Sequence, residues 1–242
     1  MGIIYGKNPV LEAITSGTTI NKIYAQTSNK EIDSVIKEAL KRKIIVVNTD
    51  KQKLDKMIDG KNSQGIIASI TDFKYSEVSE IIEYAKSKNE LPFIVILDKI
   101  EDPHNLGAII RSCECMGVHG VIIQKRNACQ ITDTVEKVAA GACSYVKVAR
   151  VTNITESIRE LKKNGLWIYG LDMNGESEVY NTKLEGAIGI VVGNEGSGIS
   201  RLVKENCDAL MKIPMTGKIN SLNASVSVAI TIYEVVRQKN IK

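Results

Sequence analysis

From Pro92 onward the chain alternates short β-branched runs with stretches of helical periodicity, the pattern of a parallel sheet covered by helices. The runs FIVIL (93–97), GVII (120–123), SYVKV (144–148), LWIYGL (166–171), AIGIVV (187–192) and ALMKI (209–213) predict strands. Helical spacing predicts helices over 105–116, 132–142, 154–164 and 198–206, and a last helix over about 223–239. Residues 1–72 repeat the alternation on a smaller scale, with helices near 8–15, 30–42 and 50–58 and strands at 22–26, 43–47 and 65–69. They read as a separate small α/β unit. The segment 73–91 ends in a polar stretch before Pro92 and reads as a linker, which places the domains at 1–72 and 92–242. There is no low-complexity tract and no repeat of fixed period.

Three of the expected strands run into dense polar segments. After the first, LDKIEDPHNLGAIIRSCECMG (97–117) places Leu106, Ile109, Ile110, Cys113 and Met116 on one helical stripe and leaves Arg111 on another face. Asn105 stands at the expected helix start, where it either caps orphan N–H groups or faces a ligand at the C-terminal edge of the sheet. The second segment, IVVGNEGSGIS (190–200), surrounds one carboxylate, Glu195, with Gly193, Gly196 and Gly198. Its spacing is neither G-x-G-x-x-G nor a P-loop, so a dinucleotide or phosphate cradle is not indicated. A plain strand-to-helix turn accounts for the glycines but not for the carboxylate. The third, KINSLNASVSVAI (218–230), crowds Asn220, Ser221, Asn223 and Ser225 at the mouth of a helix that is apolar nearly all round. One N-cap needs one such residue. The helix behind it, with Val226, Val228, Ile230, Ile232, Tyr233 and Val235, reads as packed on two sides, one against the sheet and one against a second subunit.

Composition narrows the class. The 242 residues are 43% hydrophobic, enough for a substantial core, and 32 Lys and Arg against 28 Asp and Glu give +4. That balance permits RNA binding without proving it. The excess lies at the front, where residues 1–72 carry 11 basic and 8 acidic side chains. With no export signal and no apolar run near the roughly 20 residues that span a bilayer, a cytoplasmic protein with no membrane partner is expected. Five cysteines without a C-x-x-C pair, and only two histidines, His104 and His119, argue against disulfides and against a metal centre. The cysteines read as structural, and His104 as a loop residue with at most a minor RNA contact.

The three polar segments, in this order, resemble the motifs of the SpoU family of RNA ribose 2′-O-methyltransferases, within the SPOUT superfamily. N-x-G-x-x-x-R appears as Asn105, Gly107 and Arg111, the second motif as VVGNEGSG, and the third as IPMTGKINSLNASVSVAI. IYGKNPVLEAI (4–14) and SQGIIASI (63–70) resemble the small ribosomal-protein-like domain of the RlmB branch, so the likeness covers nearly the whole chain. It implies a C-terminal domain tied in a deep trefoil knot, although knots are rare among folds in general. It also implies a homodimer with the site near the subunit interface. S-adenosyl-L-methionine is implied as methyl donor, held chiefly by backbone at Gly193, Ile213 and Leu222, with Asn194, Gly196 and Met215 beside them. No metal takes part.

The resemblance further implies Arg111, Asn105, Glu195, Ser221 and Asn223 as the catalytic set. Arginine stays protonated in nearly any protein setting, so Arg111 is expected to bind phosphate and orient the hydroxyl rather than act as a base, the role proposed for the family. RNA contacts are expected in the front domain from Lys7, Lys22, Arg42 and Lys43, with Lys41 beside them. The alternative for residues 41–43 is a solvated helix end that favours the helix dipole. The target implied is a guanosine in the peptidyl-transferase region of 23S ribosomal RNA. Another ribosomal nucleotide, a transfer RNA, or a non-catalytic RNA-binding role remain alternatives, and DNA is not expected.

Overall fold

The structure is a computed structural model that describes residues 2–70, 73–219 and 221–240. The chain divides into two units, Met1–Lys74 and Tyr75–Lys242. The boundary expected at 72 falls on residues 71–72, outside the described ones.

The first unit runs β1 (Gly2–Tyr5), α1 (Lys7–Thr15), β2 (Ile20–Ala25), α2 (Asp33–Lys41), β3 (Val46–Asn48), α3 (Lys51–Met57) and β4 (Ile66–Ile70). Its sheet has the order β1-β4-β2-β3, with β4 antiparallel to both neighbours and β2 parallel to β3. Val10, Ile14, Ile23, Ile32, Val35, Ile66 and Ala68 form the core between sheet and helices. The short strand β1 was not apparent from periodicity. The strand expected at 43–47 starts later, because Lys43 takes a left-handed conformation (φ 60°). There its N–H bonds to Leu40 O and Ile44 N–H to Ala39 O, a turn that closes α2.

The second unit is built on a seven-stranded sheet in the order β7-β6-β5-β10-β8-β11-β9, in which every pairing is parallel. Its strands are β5 (Phe93–Asp98), β6 (Gly120–Gln124), β7 (Lys147–Val151), β8 (Trp167–Leu171), β9 (Ser177–Glu178), β10 (Ile188–Gly193) and β11 (Ala209–Lys212). The helices are α4 (Val78–Ser87), α5 (Pro103–Cys115), α6 (Asp133–Ala139), α7 (Ile154–Lys163), α8 (Arg201–Lys204) and α9 (Ala224–Asn240). Ile94 and Ile96 of β5 meet Ile81 and Ile82 of α4, Ile154 and Ile158 of α7, and Val203 of α8 in one cluster. The intervening Phe93, Val95 and Leu97 are equally buried and face the other way, as strand alternation requires. α5 packs on β6, α9 on β10, and α5 lies between α6 and α9. Gly107 permits this, since a Cβ there would lie 2.7 Å from Val138 Cβ and 2.9 Å from Val135 O.

Three expectations change. The segment 73–91, read as a linker, contains α4, whose Val78, Ile81, Ile82 and Ala85 are buried in the second unit. Its apolar stripe was hidden among surface charges. The strand expected at 144–148 sits at Lys147–Val151, because Ala142–Ser144 forms a single 3₁₀ turn after Ala140 and Gly141 adopt left-handed conformations. The helix expected over 198–206 shrinks to four residues, because the loop before it stays extended to Ser200 (ψ 149°).

At the N-terminal edge of the sheet, His119 is 3% exposed. Its Nδ1 accepts the Phe93 N–H at 3.0 Å, and its Nε2 lies 3.1 Å from Glu90 Oε2. Burial pushes the imidazole pKa below its ordinary value, with Glu90 opposing in part. The unfolded chain therefore takes up a proton below pH about 6.5 that the folded chain refuses. Stability should fall as pH drops through this window, by up to about 1.4 kcal/mol per pH unit, and the contribution should vanish above it. Urea midpoints between pH 7.5 and 5.5 should show this slope, and His119→Asn should lose it.

Candidate functional site

All the parallel strands of the second unit end at one edge of the sheet. β5 leads by way of α5 towards β6, and β10 by way of α8 towards β11, so the chain leaves the neighbouring strands β5 and β10 in opposite directions. Such a switch point opens a crevice where ligands bind open α/β sheets. Asp98 and Gly193 face each other there, as the last residues of the two strands.

Asp102, not Asn105, caps α5: its Oδ1 accepts the Asn105 N–H at 2.8 Å, and Pro103 opens the helix. The Asp-Pro pair is a recognised helix-start signature and was the available signal. With the cap supplied by Asp102, the Asn105 side chain is free to leave its own helix. Its Nδ2 donates to Glu195 Oε1 at 2.8 Å.

Glu195 stands at the tip of the loop after β10. Gly193 is demanded by the backbone, since a Cβ there would sit 2.1 Å from the carbonyl carbon of Gly198. Gly198 has φ 63° and donates its N–H to Asn194 O at 2.8 Å. The Asn194 side chain braces the same turn, donating to Lys99 O at 3.1 Å and accepting from Gly196 N at 2.8 Å. The glycines are thus explained by loop closure, and the carboxylate by what it gathers.

The third loop delivers Asn223. Its Oδ1 accepts the N–H and the hydroxyl of Ser225 at 2.9 and 2.6 Å, so it caps α9. Its Nδ2 reaches Asn105 Oδ1 at 2.9 Å and Glu195 Oε1 at 2.8 Å. The Ala224 N–H also points at Glu195 Oε1, at 3.3 Å. One oxygen thereby joins three loops, at a helix N-terminus that favours negative charge. Glu195 Oε2 carries no hydrogen bond among the described residues.

Arg111 lies six residues along α5 from Asn105, about 9 Å further on and roughly 120° round the helix. It is exposed and makes no hydrogen bond or ion pair among the described residues. Ser221 is likewise exposed and unbonded, while Ile213 and Leu222 are half-buried and Met215 is 39% exposed. Asn220 lies outside the described residues. Among the described residues no group of three His, Cys, Asp or Glu side chains could hold a metal ion, and no helix is long and apolar enough to cross a membrane. Burial pushes the Cys143 and Cys207 thiols up to about 11 and about 12, and that of Cys113 higher still, so these thiols stay protonated at neutral pH. His104 is an exposed residue of the first turn of α5.

In the first unit, Arg42 is already engaged, its Nε with Glu38 at 2.8 Å and its Nη1 with Ile14 O at 2.7 Å, which ties α2 to the end of α1. Lys41 and Lys43 are exposed, and Lys7 and Lys22 are half-buried.

Two family models match the chain. The SpoU rRNA methylase family covers residues 92–233, and the RNA 2′-O ribose methyltransferase substrate-binding domain covers residues 3–76. A Bacillus subtilis protein, the TrmH family tRNA/rRNA methyltransferase YacO, is 40% identical over 239 residues, covering 98% of this chain and 96% of that protein. Among solved structures, the SpoU methyltransferase AviRb from Streptomyces viridochromogenes, in complex with AdoMet, superposes with a TM-score of 0.64 at 20% identity over 99% of this chain and 91% of that one. The A. aeolicus TrmH/SpoU tRNA modifying enzyme does so with a TM-score of 0.57 at 28% identity, over 68% of this chain and 85% of that one. A family model that spans the whole sheet and all three loops, and a relative matched nearly end to end, establish that this chain belongs to the SpoU rRNA methylase family.

Proposed function

We propose that this methyltransferase transfers a methyl group from S-adenosylmethionine to a ribose 2′ oxygen of RNA, and that its target is a guanosine in the peptidyl-transferase region of 23S ribosomal RNA. The observation that carries the reading is the Asn105–Glu195–Asn223 triangle, which draws the three motif loops to one point at the sheet's switch point. The residues suit the donor. The loop after β10 offers close-packed backbone at Gly193, Asn194 and Gly196, and the loop after β11 offers Ile213, Met215 and Leu222 as aliphatic surface. When bound, S-adenosylmethionine supplies a methyl group activated by a sulfonium.

The protein's own part is positioning and electrostatics. Asn105 and Asn223 hold the Glu195 carboxylate in place, leaving Oε2 to receive a hydrogen bond from the target ribose. The Arg111 guanidinium binds the RNA phosphate and orients the 2′ hydroxyl, and the Ser221 hydroxyl completes the polar wall. Placing a weak nucleophile in line can by itself supply several kcal/mol of the rate enhancement. The front domain favours ribosomal RNA: the tRNA modifying relative covers 68% of this chain, a share that the unit Tyr75–Lys242 alone would supply. In that domain, Lys7, Lys22, Lys41 and Lys43 are the phosphate contacts, with Arg42 acting through α2.

The working form in this reading is a cytoplasmic homodimer. Val226, Ile230 and Tyr233 lie on one stripe of α9 and are 43%, 40% and 56% exposed, an apolar face suited to a second copy of the chain. The knotted threading expected of the family accords with β10 lying between β5 and β8 and with α9 returning onto β10 and α5.

Arg111→Ala should lower methyl transfer at least about 100-fold while the S-adenosylmethionine Kd, measured by calorimetry, stays within about 3-fold. Near wild-type transfer would remove Arg111 from the mechanism. Glu195→Ala, which removes the shared acceptor of Asn105, Asn223 and the Ala224 N–H, should slow turnover about 10- to 100-fold and lower Tm. Ile230→Glu should shift the protein to a monomer in light scattering, and an unchanged dimer would place the interface elsewhere. In a strain lacking the gene, ribose-methylation mapping should show loss of one 23S guanosine methyl, whereas loss of a transfer-RNA methyl would overturn the target.

A further inference from the structure

Asp98 belongs to none of the three motifs, yet it holds an unusual position. It ends β5 opposite Gly193, and its side chain is 0% exposed. Oδ2 accepts the Ser200 N–H at 2.7 Å, while Oδ1 has no hydrogen-bond partner among the described residues. A buried carboxylate with one oxygen unsatisfied is unfavourable for stability alone, and an apolar side chain would fill the space at less cost. Such a group calls for an explanation outside packing.

Its bonded oxygen shows what the group holds, while Oδ1 itself stays unpaired among the described residues. The adjoining Lys99 adopts a left-handed conformation (φ 61°), and its carbonyl receives the Asn194 Nδ2. Residues 98 and 99 therefore grip the loop at both ends, Lys99 at its entry through Asn194 and Asp98 at its exit through Ser200. Between these two points the loop folds back on itself at Gly193 and Gly198, and its tip carries Glu195. Releasing either grip should shift the backbone at Gly193–Gly196 and the Glu195 hub together.

We propose that Asp98 is a positioning residue of the methyl-donor site, acting through its hydrogen bond to Ser200 to set the loop that forms the donor's wall. The proposal rests on the reading that this loop holds S-adenosylmethionine. Asp98 touches neither donor nor RNA, since its side chain has no exposed surface. Its effect therefore belongs in the donor Kd and KM and, through the displaced Glu195 hub, in kcat, with the RNA Kd nearly unchanged.

Two substitutions cut the same bond from opposite sides. Asp98→Ala removes the acceptor. Ser200→Pro removes the donor N–H and sets the ring Cδ against Oδ2 in place of the hydrogen, at a residue whose φ of −64° is already that of proline. Asp98→Asn keeps an acceptor for Ser200 and places an amide where the unpaired oxygen was. Calorimetry on the full-length protein, with circular dichroism and Tm as folding checks, should show donor Kd raised at least about 10-fold by D98A and by S200P. The double variant should be no more than about 3-fold weaker than either single, and D98N should stay within about 3-fold of wild type. Donor binding within 2-fold of wild type in folded D98A and S200P would overturn the proposal, as would losses that multiply in the double variant or an equal loss of RNA affinity. Should D98A fail to fold, S200P and D98N decide on the same criteria. If the wild-type chain itself binds no S-adenosylmethionine, the donor reading fails first, a result separate from wild-type binding that the variants leave unchanged.

Discussion

Three loops of this protein meet at a single carboxylate oxygen. Oε1 of Glu195 accepts the side-chain amides of Asn105 and Asn223 and faces the first N–H of α9, so segments about 90 and 30 residues apart in sequence share one acceptor. Hydrogen bonds to an ionised acceptor are about twice as strong as neutral ones, and here they also complete a helix cap. The arrangement is economical in backbone as well. Because Asp102 caps α5 and Asn223 caps α9 with one oxygen, the remaining amide groups can cross between loops. The polar crowding at the mouth of α9 is thereby divided among capping, bridging and exposure: Asn223 does the first two, and Ser221 is exposed.

Beneath this triangle lies the parallel sheet, whose contribution is geometric. Side-by-side strands ending at one edge bring residues 98, 193 and 212 to a common line, and the switch in winding direction between β5 and β10 leaves room above it. The loop that fills this room is held by backbone fit at its glycines and by Ile199, which is buried in the core cluster. A single Cβ at Gly193 would collide with the Gly198 carbonyl, so the glycines are consequences of how tightly the loop is wound. This explains why their spacing differs from that of phosphate-binding loops, where glycines admit a ligand's oxygens.

The two units carry different kinds of information. With the ribose methylation proposed above, the second would hold a chemistry that any nucleotide could satisfy, because the sugar is alike at each. Discrimination must come from RNA shape and flanking bases, read by other surfaces. In the first unit Arg42 is exposed but committed to Glu38 and the end of α1, whereas the neighbouring Lys41 and Lys43 are exposed without such a bond among the described residues.

Most of the architecture was legible in the sequence because burial imposes a period. Strands buried on both faces appear as continuous β-branched runs, and amphipathic helices appear as stripes, so the fold class and five of the large domain's strands could be placed closely. Where the signal failed, a local effect had intervened. α4 shows a charged face that resembles a linker, β7 is displaced by left-handed residues, and α8 is shortened by an extended loop. Gly193, Ile213 and Leu222 came only from the resemblance, whereas Asn105, Glu195 and Asn223 were legible as polar groups that a plain cap or turn did not fully explain. Their partnership was not, since hydrogen bonds between residues 105, 195 and 223 depend on distances that only the folded sheet creates. Asp98 was invisible for the same reason: at the end of FIVILD it looks like an ordinary strand terminus, and only tertiary structure buries it beneath the loop that Glu195 crowns.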